Sequence, residues 1–372
     1  MRMLSLKQLL EQDLDYICGN LTGEFNAMSG KKLLVTGGAG FLGYYLVQSI
    51  LHWNDSHAAG EEIKLTVFDN YIRGVPAWLR SLDGHTGLTL KRQDMRDALP
   101  EDMEDFQFII HAAGIASPIY YRMHPIETID ANINGLRNLL DYALGRKNGG
   151  SPVDGFLFFS SSEIYGDPPP EEIPTREDYR GFVSCTGPRA CYDESKRFGE
   201  TLCVNFARQY GLPVVVARPF NNYGPGLKIT DRRVMPDFAN DVLNDRDIVM
   251  LSDGSPRRTF CYSADAVCGY YKALIKGRPG EAYNIGVEGP EISVGELAEK
   301  LVQCARELFG YKGKVVRMKS DETDYLVDNP NRRCPDISKA RNEIGYDPST
   351  SIDEGIYRSL VWYHFNRDAE DA

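Results

Sequence analysis

The sequence predicts an α/β fold, a doubly wound parallel sheet with a smaller α/β lobe toward the C-terminus. Three observations predict it. The stretch Val35-Thr36-Gly37-Gly38-Ala39-Gly40-Phe41-Leu42-Gly43 sets a glycine turn between an apolar strand and a helical pattern. Short apolar runs then alternate with helical patterns as far as Pro219. Past Pro219, Gly and Pro cluster in Asn221–Gly226, and short strands mix with helices such as Ser293–Phe309.

Taken in order, residues 1–30 precede the first strand. Leu4, Leu6, Leu9, Leu10, Leu14 and Ile17 predict an amphipathic helix packed on the body as a structural addition. Lys32–Val35 is a strand, and Phe41, Leu42, Tyr45, Leu46 and Ile50 recur at helical spacing after the glycines. Such a turn lets the backbone approach a pyrophosphate, while the helix N-terminus offers free N–H groups and a positive dipole end. This is a Rossmann-type dinucleotide site built on Gly37, Gly40, Phe41, Leu42 and Gly43. Glycine turns also arise for packing alone, so the reading gains its weight from an acid at the end of the next strand.

Ile63–Phe68 is that second strand, ending in Asp69 and followed by Asn70. An acid there hydrogen-bonds the adenosine ribose and repels a 2′-phosphate, which favours NAD over NADP. Leu88–Leu90 leads to Asp94-Met95-Arg96-Asp97, an edge for the adenine. Phe106–Ile110 is a buried strand running into His111-Ala112-Ala113-Gly114. Ala112 and Ala113 let backbone approach the cofactor, and His111 reads as strand-end packing. Glu127–Leu144 is a long helix, Phe156–Phe159 a strand before Ser160-Ser161-Ser162-Glu163, and Val214–Ala217 a strand closing at Arg218-Pro219. The expected organisation is a helical extension (1–30), a dinucleotide-binding domain (31–218, with return segments near 257–282) and a substrate lobe (mainly 219–372).

Composition narrows the function classes. A net charge of −11 argues against nucleic acid as the main partner and leaves room for a local basic pocket. Residues 1–20 carry no uninterrupted apolar core, so no signal peptide is expected, and no apolar run is long enough to span a bilayer. The eight cysteines are scattered without a C-x-x-C pair, as expected of reduced thiols in a cytoplasmic protein without a metal site.

The chemistry centres on Tyr192 and Lys196, four apart on one helix face. A phenol with a pKa of about 10 is a poor base near neutral pH. A nearby ammonium and a positively charged nicotinamide lower that pKa, and a serine after the preceding strand can hydrogen-bond the reacting hydroxyl.

From about Lys32 onward the chain resembles the extended short-chain dehydrogenases/reductases that act on nucleotide sugars, and among them the UDP-glucuronate decarboxylases. The resemblance rests on Gly187-Pro188-Arg189-Ala190-Cys191-Tyr192-Asp193-Glu194-Ser195-Lys196-Arg197, Glu163–Pro168, Asn221–Pro225, Asp253-Gly254-Ser255, Arg258–Tyr262 and Arg333–Ile337. It implies Ser161, Tyr192 and Lys196 as the catalytic set, with Tyr192 and Lys196 also meeting the NAD. It implies Glu163 as the proton-handling residue, where related 4,6-dehydratases carry Asp-Glu at 162–163 and 4-epimerases need no carboxylate. Ser162 removes the dehydratase acid. Tyr121 is implied beside the sugar carboxylate, Arg258 in decarboxylation or diphosphate binding, and Asn221 and Arg333 at the diphosphate and nucleotide. Pro225-Gly226-Leu227 and Val234-Met235-Pro236 depart from the usual pattern, which bears on the nucleotide and sugar rather than the reaction. Relatives dimerise through a four-helix bundle. The matching helices here carry Leu136, Leu139, Leu140, Phe198, Leu202 and Phe206, which suit a core or a seam equally.

Overall fold

A computed structural model describes residues 3–57, 61–318 and 330–367. Seven strands form one parallel sheet: β1 (Lys32–Thr36), β2 (Lys64–Asp69), β3 (Leu88–Arg92), β4 (Phe108–His111), β5 (Gly155–Phe159), β6 (Val214–Pro219) and β7 (Ala282–Ile285). Their spatial order is β7-β6-β5-β4-β1-β2-β3. The chain therefore runs outward from β1 through β2 and β3, then returns to the other side of β1 with β4. That reversal opens a crevice at the C-terminal ends of β1 and β4, where Thr36 pairs with His111.

Apolar runs rather than alternation mark these strands because both faces are covered. Leu33, Val35, Ile110, Leu157 and Val215 pack on one face with the helix Gly43–Asp55 and the helix Ser263–Lys276. Leu34, Ile109, Phe156, Phe158 and Val216 pack on the other with the helices Pro125–Asn148 and Ala190–Tyr210. Leu136, Leu139, Leu140 and Phe206 are buried there and belong to the core. Phe198 is 50% exposed, as are Met123 and Ile126 to a greater degree, so only part of the set suits a seam.

The extension holds two helices: Leu6–Asn20 begins with a Ser5/Gln8 capping box, and Thr22–Met28 follows. Leu9, Ile17, Phe25 and Met28 are buried. Buried Asp13 accepts from Tyr45, from Tyr262 Oη at 2.6 Å and from Arg358 Nη1 at 2.8 Å. One carboxylate thus joins the extension to three separate parts of the body.

The return to the sheet differs from the expected 257–282. Arg257–Arg258 pairs with Ile292–Ser293 and Arg332–Arg333 in a small lobe sheet, and Cys261–Tyr262 pairs with Asn222–Tyr223. Only the helix Ser263–Lys276 and β7, which runs to Ile285, rejoin the central layer. These pairings keep residues 257–262 with the lobe. No helix among the described residues is long and apolar enough to cross a membrane.

Candidate active site

The glycine turn sits where β1 touches the end of β4. Gly37 has φ +75°, and a Cβ there would lie 2.6 Å from Ala113 Cα. A Cβ on Gly43 would meet Gly38 O at 2.0 Å, and one on Gly40 would sit 3.1 Å from Gly37 O. Larger residues would therefore fill the cradle or break the turn. Asp69, at the end of β2, accepts from Ala39 N–H at 3.0 Å and Tyr71 N–H at 2.8 Å. Burial pushes its carboxyl upward, and these two donors pull against that. Beside it Asn70 donates to Asp94 at 3.0 Å, and Arg96 also holds Asp94. Cradle, acid and the small residues Ala112 and Ala113 together fit a dinucleotide.

These residues share one cleft of about 1180 Å³ with Met95, Tyr121, Ser161, Ser162, Glu163, Tyr192, Lys196, Asn221, Arg258 and Arg333. Every site residue expected from the sequence lines it. Ser161 follows β5 and accepts from Glu163 N–H at 3.2 Å, capping the turn Ser162–Tyr165. Lys196 donates to Phe159 O at 2.8 Å, and its ammonium lies 5.8 Å from the Tyr192 ring centroid. Burial brings this lysine down to about 7 and pushes the Tyr192 phenol up to about 12. The lowering of the phenol expected from Lys196 is not among the leading influences on it here. A hydrogen bond with Ser161 and the charge of Arg233 act in the favourable direction.

Glu163 is enclosed by guanidinium groups. Arg189 and Arg333 both donate to it, Arg333 through two nitrogens. Burial would push this carboxyl up, but Arg189 and Arg333 overcome that and bring it to about 2. Arg189 has no role assigned from sequence, although it lies in the Tyr192 segment. It occupies the N-cap position of that helix, 3.6 Å from Asp193. Tyr121 stacks on Tyr192 with centroids 5.1 Å apart and planes 12° apart. Its buried hydroxyl has no hydrogen-bond partner among the described residues, and Arg189 lies 5.9 Å from its ring centroid.

Arg258 and Asn221 hold backbone. The Arg258 guanidinium donates to Arg257 O at 2.7 Å, Asn331 O at 3.1 Å and Pro330 O at 2.5 Å. Burial lowers it to about 9, which leaves it charged at neutral pH. Asn221 takes φ +43° and donates to Thr259 O at 2.9 Å. Among the described residues no cluster of His, Cys, Asp and Glu could hold a metal ion.

A dinucleotide cradle beside Ser161, Tyr192 and Lys196, under a lobe rich in arginine, defines a dinucleotide-dependent enzyme. The chain belongs to the NAD dependent epimerase/dehydratase family, whose pattern matches residues 33–286, and its cofactor is NAD. It is 36% identical over 328 residues to UDP-glucuronic acid decarboxylase 6 of Arabidopsis thaliana, covering 88% of this chain and 87% of that one. Among solved structures, it resembles the epimerase Mth375 of Methanothermobacter thermautotrophicus with a TM-score of 0.77 at 26% identity, over 95% of this chain and 98% of that one. It also resembles DesIV, a dTDP-glucose 4,6-dehydratase from Streptomyces venezuelae with NAD bound, with a TM-score of 0.76 at 26% identity, over 91% and 98% of the two chains.

Proposed function

We propose that this protein decarboxylates UDP-glucuronate to UDP-xylose through a 4-keto sugar, using NAD. The observation that carries the reading is Glu163 among Arg189, Arg258 and Arg333, directly behind Ser162. Glu163 stands where it can handle a proton, Ser162 replaces the paired acid of a dehydratase, and the three guanidinium groups outnumber the two carboxylates, Glu163 and Asp193, that face them. A guanidinium fork fits two oxygens, whether of a diphosphate or of a sugar carboxylate. Similarity to UDP-glucuronic acid decarboxylases supports the same choice.

Gly37, Gly40, Phe41, Leu42, Gly43, Asp69, Asn70, Asp94, Met95, Ala112 and Ala113 would hold the NAD, which supplies a hydride acceptor for sugar C4 and can return that hydride. Tyr192 takes the C4 hydroxyl proton while Ser161 holds its oxygen. Ser161 and the charge of Arg233 act to lower the phenol that burial holds high, and a bound nicotinamide would add its positive charge in the same direction. Once C4 is a ketone, the carboxylate is β to it. The C5–C6 bond breaks, CO₂ leaves, and the electron pair passes into an enolate stabilised by the ketone. Tyr121, with its unpartnered hydroxyl, faces the carboxylate. Asn221 and Arg333 bind the diphosphate, and Arg258 fixes the strand that carries Arg333. When the diphosphate engages Arg333, Glu163 loses one of its two partners and can take up a proton from solvent and pass it to C5, where it replaces the lost CO₂, while the proton held by Tyr192 returns to the C4 oxygen with the hydride.

We also propose a homodimer in a reducing, cytoplasmic compartment. The exposed Met123, Ile126, Ile129 and Phe198 on adjacent helices support the dimer, and eight free cysteines support the compartment. The reading is tested by incubating protein and NAD with UDP-glucuronate, and separately with UDP-glucose. CO₂ and a UDP-pentose from the first, with no epimer or dehydrated sugar from either, are expected. A UDP-galacturonate product without CO₂ would establish a 4-epimerase instead.

A further inference from the structure

Asp231 has no part in the chemistry above, yet it is among the most enclosed carboxylates of the cleft. Its side chain is 3% exposed and meets two guanidinium groups: Arg73 Nη1 donates to it at 2.9 Å, and Arg233 Nε lies 3.1 Å away. Arg73 belongs to the loop after β2, four residues past Asp69, on the wall built for the adenosine ribose. Asp231 and Arg233 belong to the opposite wall, contributed by the lobe. All three line the cleft.

Further contacts tie the same two walls at this point. Lys228 donates to Arg73 O at 3.2 Å. Ser117 Oγ donates to Asp231 O at 3.2 Å, and Ser117 occupies the N-cap position of the short helix Pro118–Met123 that carries Tyr121. The Arg73 guanidinium lies 5.0 Å from the ring centroid of Tyr120 in that helix. Both loops also hold strained backbone beside the bridge: Tyr71 at φ +54° and Arg232 at φ +68°. A left-handed conformation is costly for a non-glycine residue and persists where surrounding contacts impose it. The bridge supplies such contacts on both sides.

We propose that Arg73, Asp231 and Arg233 form a clasp that joins the cofactor wall to the substrate wall and retains the nicotinamide cofactor between oxidation of the sugar and return of hydride. Asp231 is a positioning residue at its centre. The proposal rests on the decarboxylase reading for the identity of its products. If the clasp opens after CO₂ leaves, the sugar departs as UDP-4-keto-pentose, and the two electrons taken from C4 depart with NADH. If it holds, C4 receives the hydride back with a proton on its oxygen, and UDP-xylose departs. The clasp therefore sets the ratio of the two products without touching the reacting atoms.

The test uses Arg73→Ala, Arg73→Lys and Asp231→Asn in the full chain, with two readouts. One is the rate at which NADH leaves the loaded protein, followed by nicotinamide fluorescence in stopped flow. The other is the ratio of UDP-4-keto-pentose to UDP-xylose at equal CO₂ release. The Arg73 side chain is 36% exposed and leaves Asp231 still facing Arg233, so Arg73→Ala is expected to fold, with an unfolding temperature lowered by the loss of one partner of a buried carboxylate. It should lose NADH at least about tenfold faster, equivalent to about 1.4 kcal/mol, and raise the keto-pentose share while the rate of CO₂ release stays within about twofold. Arg73→Lys should recover part of both effects. Asp231→Asn should match Arg73→Ala or exceed it, and if it fails to fold, Arg73→Ala decides alone. Unchanged NADH release and product ratio in Arg73→Ala would overturn the clasp. Absence of CO₂ from wild-type protein would overturn the decarboxylase reading instead, and NADH release would still decide the clasp.

Discussion

Arg333 faces Glu163 as a two-pronged ion pair, with Arg333 Nη2 2.5 Å from Glu163 Oε2 and Nη1 on the other oxygen. The pair joins the lobe to the segment after β5 across 170 residues of sequence. Arg189 and this pair together bring the Glu163 carboxyl to about 2 against the opposing effect of burial.

That pair sets the behaviour expected of Glu163→Gln. The variant should bind UDP-glucuronate yet release CO₂ at least ~100-fold more slowly, the scale of a lost acid–base group. Its stability should also differ from wild type in a pH-dependent way. The folded pKa lies below the ordinary 4.5, so the stabilisation by ionised Glu163 is complete above about 4.5 and is lost as pH falls toward about 2. The deficit of Glu163→Gln in urea unfolding should therefore be largest near pH 6 and shrink by pH 3. A constant deficit would show that ionisation of Glu163 contributes nothing to folding.

Arg258→Ala should weaken UDP and UDP-glucuronate alike in calorimetry. Its guanidinium clamps the carbonyls of Pro330 and Asn331, just before Arg333 in the chain. Loss of hydrogen bonds from a charged donor should also cost roughly 1.5–3 kcal/mol of stability. Normal UDP affinity with no CO₂ release would instead place Arg258 at the sugar carboxylate.

Phe198→Asp should produce monomers. Phe198 is half-exposed on the helix that carries Tyr192 and Lys196, and a charge there opposes burial against a second copy. Light scattering should give twice the 41.8 kDa chain mass for wild type and one chain mass for the variant. A monomeric wild type at micromolar concentration would contradict the dimer.

Asp13→Ala should destabilise the protein by roughly 3–5 kcal/mol in urea unfolding. It takes one of two carboxylate partners from Arg358, which keeps Glu354, and leaves the hydroxyls of Tyr45 and Tyr262 without their acceptor. A loss under 1 kcal/mol would mean that the extension is fastened by its apolar face alone.

The local features of the fold were legible because they have local causes. Glycines at 37, 40 and 43, Asp69 closing an apolar run, and Tyr192 with Lys196 on one helix face each identify themselves by spacing. What was not legible depends on distant partners. Glu163 meets Arg333 only because Arg332–Arg333 joins Arg257–Arg258 in a two-residue ladder too short to show a pattern. Arg189 lay within a recognised segment, but its spacing from Glu163 carries no periodicity. The clasp at Asp231 joins Arg73 from 158 residues away. The apolar positions on the Tyr192 helix showed the reverse difficulty: Phe198 and Phe206 read alike, and only packing separates the half-exposed ring from the buried one.

The most direct measurement of the proposed decarboxylation follows the carboxyl carbon. UDP-glucuronate labelled with ¹³C at C6 is incubated with the protein and NAD, and gas and nucleotide sugars are analysed by mass spectrometry. Labelled CO₂ together with an unlabelled UDP-pentose is the expected result, with neither above trace for Tyr192→Phe. Label retained in a six-carbon UDP-sugar, with no labelled CO₂, would contradict it.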